Sequence, residues 1–460
     1  LPPITYKESK NFPKLKGGFF CHTTYYLNDF NVVEEGDLHN NRLNSIHFPT
    51  IENTTMHYYQ LHQLLKHSFE LPGTQKNIPE LNISITHADF TSEDAKYFLP
   101  GSNFLYCKEH QIYFEEATVK GKTLLETSDF NIECNKQFQY HIVQDISVEQ
   151  ATGIVIMFHG LNEKKWDKYL PWACEIARQT KKAVVLFPIG FHMDRAPEVW
   201  SLRNEMYTVA QKRKNDYIDN SDCSYVNAAI SSRLEENPQR IFWSGLQTYC
   251  DVIRLVYAIR KGNVGGISSH ASFDLFGYSI GSFLSMILLM ANPKGIFSNS
   301  KLFCFCGGMT IDRMYPISRY IMDSRAAIAM QKSFTELLST DFSNDARLAH
   351  YQNSSEHKNE SWFKTMLRYN FYQEDRENRI KELQHQIKSL VLKQDRVTPP
   401  IEALNTLKGG YRDILVDVQI EDFSHPYSHM VPFPLTTKHA VEVDRSFAVF
   451  TQSVSEFLGK

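Results

Sequence analysis

Apolar residues along this chain fall into two kinds of run. Short continuous ones, Gly153–Phe158 (GIVIMF), Ala183–Phe187, Phe273–Phe276, Lys301–Phe305 and Ser389–Leu392, read as strands buried on both faces of a parallel sheet. Longer ones have helical spacing: Trp166–Thr180, with Trp172, Ile176 and Ala177 on one side, then Tyr225–Leu234, Gly245–Arg260, Ser282–Met290 and Ala440–Leu458. Strand, helix and strand at this spacing make βαβ units, so the pattern predicts an α/β domain with a mostly parallel central sheet flanked by helices. Leu415–Ile420 adds a late strand. Asn131–Cys134 and Phe138–Val143 alternate around Asn135-Lys136 and predict a hairpin ahead of the first buried strand.

The pattern divides the chain into four stretches. Residues 1–130 are punctuated by prolines and rich in Asn, His, Tyr and Phe, with helical character at Met56–Phe69 and extended character at Tyr97–Phe104 and Gln111–Phe114. They read as an accessory region that packs on the core or covers one side of a pocket. Residues 131–308 form the first part of the core, and 389–460 the last. Between them, 309–388 is mostly helical and locally amphipathic, which predicts an insertion.

Composition narrows the partners. Hydrophobic residues at 42% and charged residues at 22% are ordinary for a globular chain of 460 residues, and a net charge of −3 calls for neither nucleic acid nor a membrane surface. No apolar run reaches the ~20 residues of a membrane helix, so a soluble protein is the expectation, with the cytoplasm favoured and the compartment left undecided by the cysteines. The chain begins at Leu1 rather than Met, as a mature or trimmed form would. The eight cysteines show no zinc-like spacing, Cys304 and Cys306 read as buried thiols, and no metal or other cofactor is expected.

One stretch carries chemistry. In Ser272–Pro293, SFDLFGYSIGSFLSMILLMANP, an apolar strand turns through Gly277-Tyr278-Ser279-Ile280-Gly281 into an apolar helix that stops at Asn292-Pro293. Chance supplies about 0.1 G-x-S-x-G matches in a chain of this length, so the strand before and the helix after carry more weight than the bare pattern. In that context the motif is a nucleophile elbow. A serine on so tight a turn needs small neighbours that let strand and helix approach, and the helix N-terminus places positive potential where an oxyanion would form.

The order of parts, a hairpin, βα units, the His159-Gly160 turn after the first buried strand, the elbow, a helical insertion and a late acid and histidine, resembles the α/β-hydrolase superfamily over Asn131–Lys460. The resemblance implies a nucleophile–acid–histidine order. Ser279 is then the nucleophile. Asp395, just past the strand Ser389–Leu392 and before Pro399-Pro400, is the acid, with Asp312 as a rival after the preceding strand. Two histidines follow the last strand in FSHPYSHMVPFP. His425 has the more usual separation from the acid, whereas Pro426 restricts its backbone, which favours His429; both stay candidates for the base. Their i, i+4 spacing is not read as a metal pair, because Pro426 opposes a helix and no third ligand lies nearby.

For the oxyanion hole, the resemblance points to the N–H groups of Ile280 and Leu161. Gly160 would allow the close approach, His159 would be structural, and Asn162 would support the turn or touch substrate. The implied activity is a serine hydrolase that cleaves a carboxylic ester or related small acyl substrate through an acyl-enzyme, with the insertion as a lid. Met314, Tyr315, Tyr320, Met330, Phe334, Trp362, Phe363 and Met366 would either suit an apolar acyl group or pack the insertion's own core. His192, Asp194, Arg195 and Trp200 would line the pocket's far side. An acyltransferase or peptidase of the same fold, or a non-catalytic binding protein on a hydrolase scaffold, are the alternatives.

Overall fold

The computed structural model describes residues 56–115, 125, 128–339 and 345–459. Residues 55–460 form one compact unit. Its strands are, in chain order, β1 (Gln75–Ile78), β2 (Ile83–Thr91), a separate pair β3 (Tyr106–Cys107) and β4 (Ile112–Tyr113), then β5 (Gln137–Asp145), β6 (Ala151–Phe158), β7 (Ala183–Leu186), β8 (Ile267–Tyr278), β9 (Leu302–Phe305), β10 (Ile387–Leu392) and β11 (Asp417–Glu421). Among the described residues, nine of these form one mixed sheet in the order β1-β2-β5-β7-β6-β8-β9-β10-β11. From β7 to β11 every pairing is parallel, while β1, β2 and β5 join antiparallel at one edge. This is a mixed α/β fold with a mostly parallel central sheet flanked by helices, as the apolar pattern predicts.

Each central strand is buried on both faces, and its period-two alternation splits the core into two layers. Ile154, Ile156, Phe158, Leu275 and Cys304 face one, which the helices Arg240–Arg260 and Ile280–Ala291 cover. Val155, Met157, Phe276, Tyr278 and Phe305 face the other, under the helices Tyr58–Glu70, Tyr169–Thr180 and Ala440–Leu458. Trp172 is the hub of this second layer: fully buried, it meets the rings of Tyr169, Tyr278, Phe305 and Phe450 edge-on at 5.0–5.4 Å. Such packing gives the layer one arrangement, since edge-to-face pairs add about 0.5–1.5 kcal/mol each beyond area burial.

The topology determines where chemistry can occur. From β6 the chain moves to β7 on one side and later returns to β8 on the other, so the loops after β6 and β8 diverge at a switch point. Ligands of open α/β sheets bind in that crevice, outside the carboxyl ends of the strands. The His159-Gly160 turn ends one of these strands and Ser279 the other.

Several elements differ from the sequence expectation. The sheet begins inside the stretch 1–130 set apart as accessory, because β1 and β2 add to its edge; residues 1–55 lie outside the described residues. Ile83 and Ile85 alternate as a strand should, but His87 and Asp89 follow on an edge where polar side chains are tolerated. The hairpin around Asn135-Lys136 is absent: Glu133–Lys136 is a helical turn leading into β5, and Asn135 is buried, its side chain accepting from the Phe191 N–H and Arg195. Tyr97–Phe104 is not extended, since Ala95–Phe98 closes a helical turn. Within 309–388 the helices are Ser324–Ser339, Ala346–Gln352, Trp362–Thr365 and Gln373–Leu383. Among the described residues no helix is long and apolar enough to cross a membrane.

Candidate active site

Ser279 sits between the end of β8 and the helix Ile280–Ala291 with φ 55° and ψ −119°, a left-handed conformation that few residues other than glycine adopt. Two contacts explain the flanking glycines. A Cβ on Gly277 would come within 2.4 Å of the Ser282 Cα, and one on Gly281 within 2.5 Å of the Phe158 carbonyl oxygen. No side chain fits at either place. The turn is pinned by the Ser279 N–H donating to the Phe305 carbonyl at 3.1 Å and the Ser282 N–H donating to the Ser279 carbonyl at 2.9 Å.

A hydrogen-bonded chain starts at this serine. Its Oγ lies 2.9 Å from Nε2 of His429, and His429 Nδ1 lies 2.7 Å from an oxygen of Asp395. All three side chains are buried. The Asp395 carboxylate also accepts from the Val397 and Thr398 N–H groups (2.8 and 3.0 Å) and from the Thr398 hydroxyl at 2.7 Å. Burial pushes this carboxyl up, but the charge and hydrogen bond of His429, with the two Thr398 donors, outweigh it and hold Asp395 below the ordinary carboxylate range. An ionised Asp395 can only accept, so it fixes the His429 tautomer with hydrogen on Nδ1 and leaves Nε2 as a lone pair facing the serine hydroxyl.

The rival residues point elsewhere. His425 Nδ1 donates to the Pro426 carbonyl at 3.1 Å and its ring packs on Phe423; neither Ser279 nor Asp395 is its partner. Asp312 accepts from the Thr310 hydroxyl at 2.7 Å and the Tyr369 N–H at 3.1 Å.

The turn after β6 faces the elbow. His159 is fully buried, takes the Ile189 N–H on Nε2 (2.9 Å) and donates from Nδ1 to the Gly160 carbonyl (2.8 Å); burial keeps it neutral, well below its ordinary pKa. A Cβ on Gly160 would press within 3.1 Å of the Tyr278 ring. Asn162, at φ 62°, donates from Nδ2 to the carbonyls of Val226 (3.1 Å) and Tyr320 (2.7 Å), tying the turn to both neighbouring loops. Leu161 and Ile280 line the same cavity as Ser279. The Ile280 N–H belongs to the first turn of its helix, where backbone donors have no intrahelical partner.

That cavity holds about 560 Å³. Met314, Tyr315 and Met330 of the insertion form part of its largely apolar wall, whereas Phe334, Phe363 and Met366 are buried in the core below. Of the residues expected on the far side, His192 reaches a small neighbouring pocket. Asp194 instead receives His141 and the Trp166 indole. Arg195 is fully buried in an ion pair with Asp251 at 2.9 Å, and Trp200 packs under Arg233.

Two site residues escape a sequence reading. Tyr278, inside the elbow motif, donates its hydroxyl to the His429 carbonyl and stacks on the imidazole. Thr398 caps Asp395 three residues on, a D-x-x-T pattern that turn chemistry could have flagged.

The profile of a family described as a family of unknown function, DUF6051, matches residues 56–459. No curated protein matches the chain. Similar solved structures include esterase Est22, at 11% identity and TM-score 0.40, with 86% of each chain covered. Esterase LipW from Mycobacterium marinum shares 12% identity at TM-score 0.38, covering 81% of this chain and 82% of that one. Carboxyl esterase 2 from the mycorrhizal fungus Tuber melanosporum shares 9% identity at TM-score 0.35, covering 70% and 82%.

Proposed function

The chain belongs to the DUF6051 family, and from its site geometry we propose that it is a serine hydrolase acting on a carboxylic ester or related acyl compound. The observation that carries the reading is the buried relay Ser279–His429–Asp395, with contacts of 2.9 and 2.7 Å, opening at an apolar cavity.

In this reading Ser279 Oγ attacks the acyl carbon while its proton passes to His429 Nε2. Asp395 stabilises the imidazolium that results. Charge gathers on the former carbonyl oxygen, which the Ile280 and Leu161 N–H groups receive. The intermediate collapses as His429 gives its proton to the leaving oxygen, and an alcohol departs. Water then yields a proton to His429, attacks the acyl-serine and releases the acid, and the proton returns to Ser279. The insertion acts as a lid, whose cavity-facing Met314, Tyr315 and Met330 suit an apolar acyl chain at about 0.8 kcal/mol per buried methylene.

Labelling with a fluorophosphonate, which reacts only with an activated serine, tests the proposal. The native chain is expected to label. Ser279→Ala and His429→Ala should lose the label, and His425→Ala should keep it. A folded native chain that stays unlabelled would overturn the hydrolase reading in favour of a ligand-binding protein on this scaffold.

A further inference from the structure

Far along the chain from the elbow, four side chains converge that the relay does not use. Cys107 ends β3, and His110 lies in the turn to β4. His350 is in the helix Ala346–Gln352, and His357 is in the turn after it. Cys107, His350 and His357 are buried and His110 is partly so. One ligand atom from each lies within 4.8 Å of all the others. We propose that these four residues bind a divalent transition metal, zinc by preference, in a closed structural site.

The separations fit. Cys107 Sγ is 3.5 Å from His110 Nδ1 and 3.4 Å from His357 Nε2, and His357 Nε2 is 3.0 Å from His350 Nε2. A tetrahedral zinc with bonds of about 2.3 Å to sulfur and 2.0–2.1 Å to nitrogen has S···N edges of about 3.5 Å and N···N edges of about 3.3 Å. The remaining edges all involve His110 or His350 and stay within 4.8 Å, and His110 is the partly exposed ring of the three. The three rings stand nearly perpendicular to one another, at 80–87°, so their nitrogens converge rather than stack.

The surrounding carboxylates argue for a cation between the rings. His350 Nδ1 is 2.5 Å from Glu356, and His357 Nδ1 is 3.3 Å from Glu360. Each carboxylate holds the hydrogen on Nδ1 and leaves Nε2 bare, the arrangement by which metal-bound histidines are oriented. The two Nε2 atoms, 3.0 Å apart, need a positive charge between them, which either a shared proton or a metal ion supplies, and the converging Cys107 and His110 donors favour the metal. The Cys107 sulfur beside the two nitrogens would bind as a soft, anionic donor that zinc accepts. With four protein donors no coordination position is left open, which makes the site structural rather than catalytic.

The bound ion would clamp the β3–β4 hairpin to the insertion across 250 residues of sequence, from Cys107 to His357. That separation hides the site from spacing rules, which look for paired ligands on both sides: C-x-x-H stands at 107–110, but the other half reads H-x6-H.

Elemental analysis of the full chain purified without chelator tests the proposal, together with Co²⁺ substitution. About one zinc per chain is expected, and Co²⁺ should give the intense visible bands of a tetrahedral ion with a thiolate charge-transfer band. Cys107→Ser should abolish that band. Glu356→Gln, which leaves all four donors in place, should weaken Co²⁺ binding about 10–100-fold. A native chain that binds neither ion stoichiometrically, or a Cys107→Ser chain that keeps the charge-transfer band, would overturn the site.

Discussion

The hydroxyl of Tyr278 donates to the main-chain carbonyl of His429 while its ring lies against the imidazole, with centroids 5.3 Å apart and 17° between planes. The residue just before the serine thus holds the histidine that faces it. One short segment, Tyr278-Ser279, fixes both sides of the Ser279–His429 contact, so the loop Phe423–Phe433 keeps its place without a helix or strand of its own.

Tyr278→Phe removes that hydrogen bond and keeps the stacked ring. The net value of such a bond is about 0.5–1.5 kcal/mol. If it acts by positioning His429, kcat for an acyl ester should fall about 2–12-fold with KM nearly unchanged. Steady-state kinetics on a p-nitrophenyl ester read the split; an increase in KM alone would assign Tyr278 to substrate binding instead.

Thr398→Val leaves Asp395 without one of its donors. Asp395 has a folded pKa below its unfolded value, so the stability it contributes is present above the ordinary carboxylate range and is lost as pH falls through the folded value. Removing the Thr398 hydroxyl raises the folded value, and the acid limb of the stability curve should move to higher pH. Urea unfolding at pH 7 and across the acid range measures this, with an expected loss at pH 7 of about 1 kcal/mol.

Met330→Ala enlarges the cavity beside Ser279. Preference among acyl esters, taken as the ratio of kcat/KM values, should shift toward longer chains. One methylene's worth of pocket discriminates by about 1–3 kcal/mol, which sets a shift of roughly tenfold or more. A uniform fall across chain lengths would instead mean that Met330 only packs the insertion.

How much of this was legible in the sequence depends on how local each feature is. The elbow was, because Gly277 and Gly281 answer a steric demand within five residues. The buried strand Gly153–Phe158 was, because a run without polar residues has few other homes in an α/β domain. Asp395 and the histidine loop were narrowed by their places after strands, and Pro426 was the local clue that favoured His429 over His425. The β1–β2 edge was not legible, since an edge strand with one wet face carries a weak apolar signal. Nor were the Tyr278 hydroxyl's acceptor and the meeting of Cys107 with His357, which are tertiary facts between distant segments. Arg195 was misplaced for a related reason: a charged residue after a strand suggests a pocket wall, yet buried Asp251 and Asn135 draw this one inside.

The backbone of Ser279 has one more implication. Its φ of 55° is strained for any residue with a Cβ, at a cost of order 1–3 kcal/mol, and glycine meets the same angles freely. Ser279→Gly should therefore melt higher than the native chain while losing its reactivity. Under the proposed function, heat resistance and turnover pull this single position in opposite directions. A library selected only for survival at high temperature would drift toward the inert glycine, and any engineering of this protein has to screen for chemistry at every round.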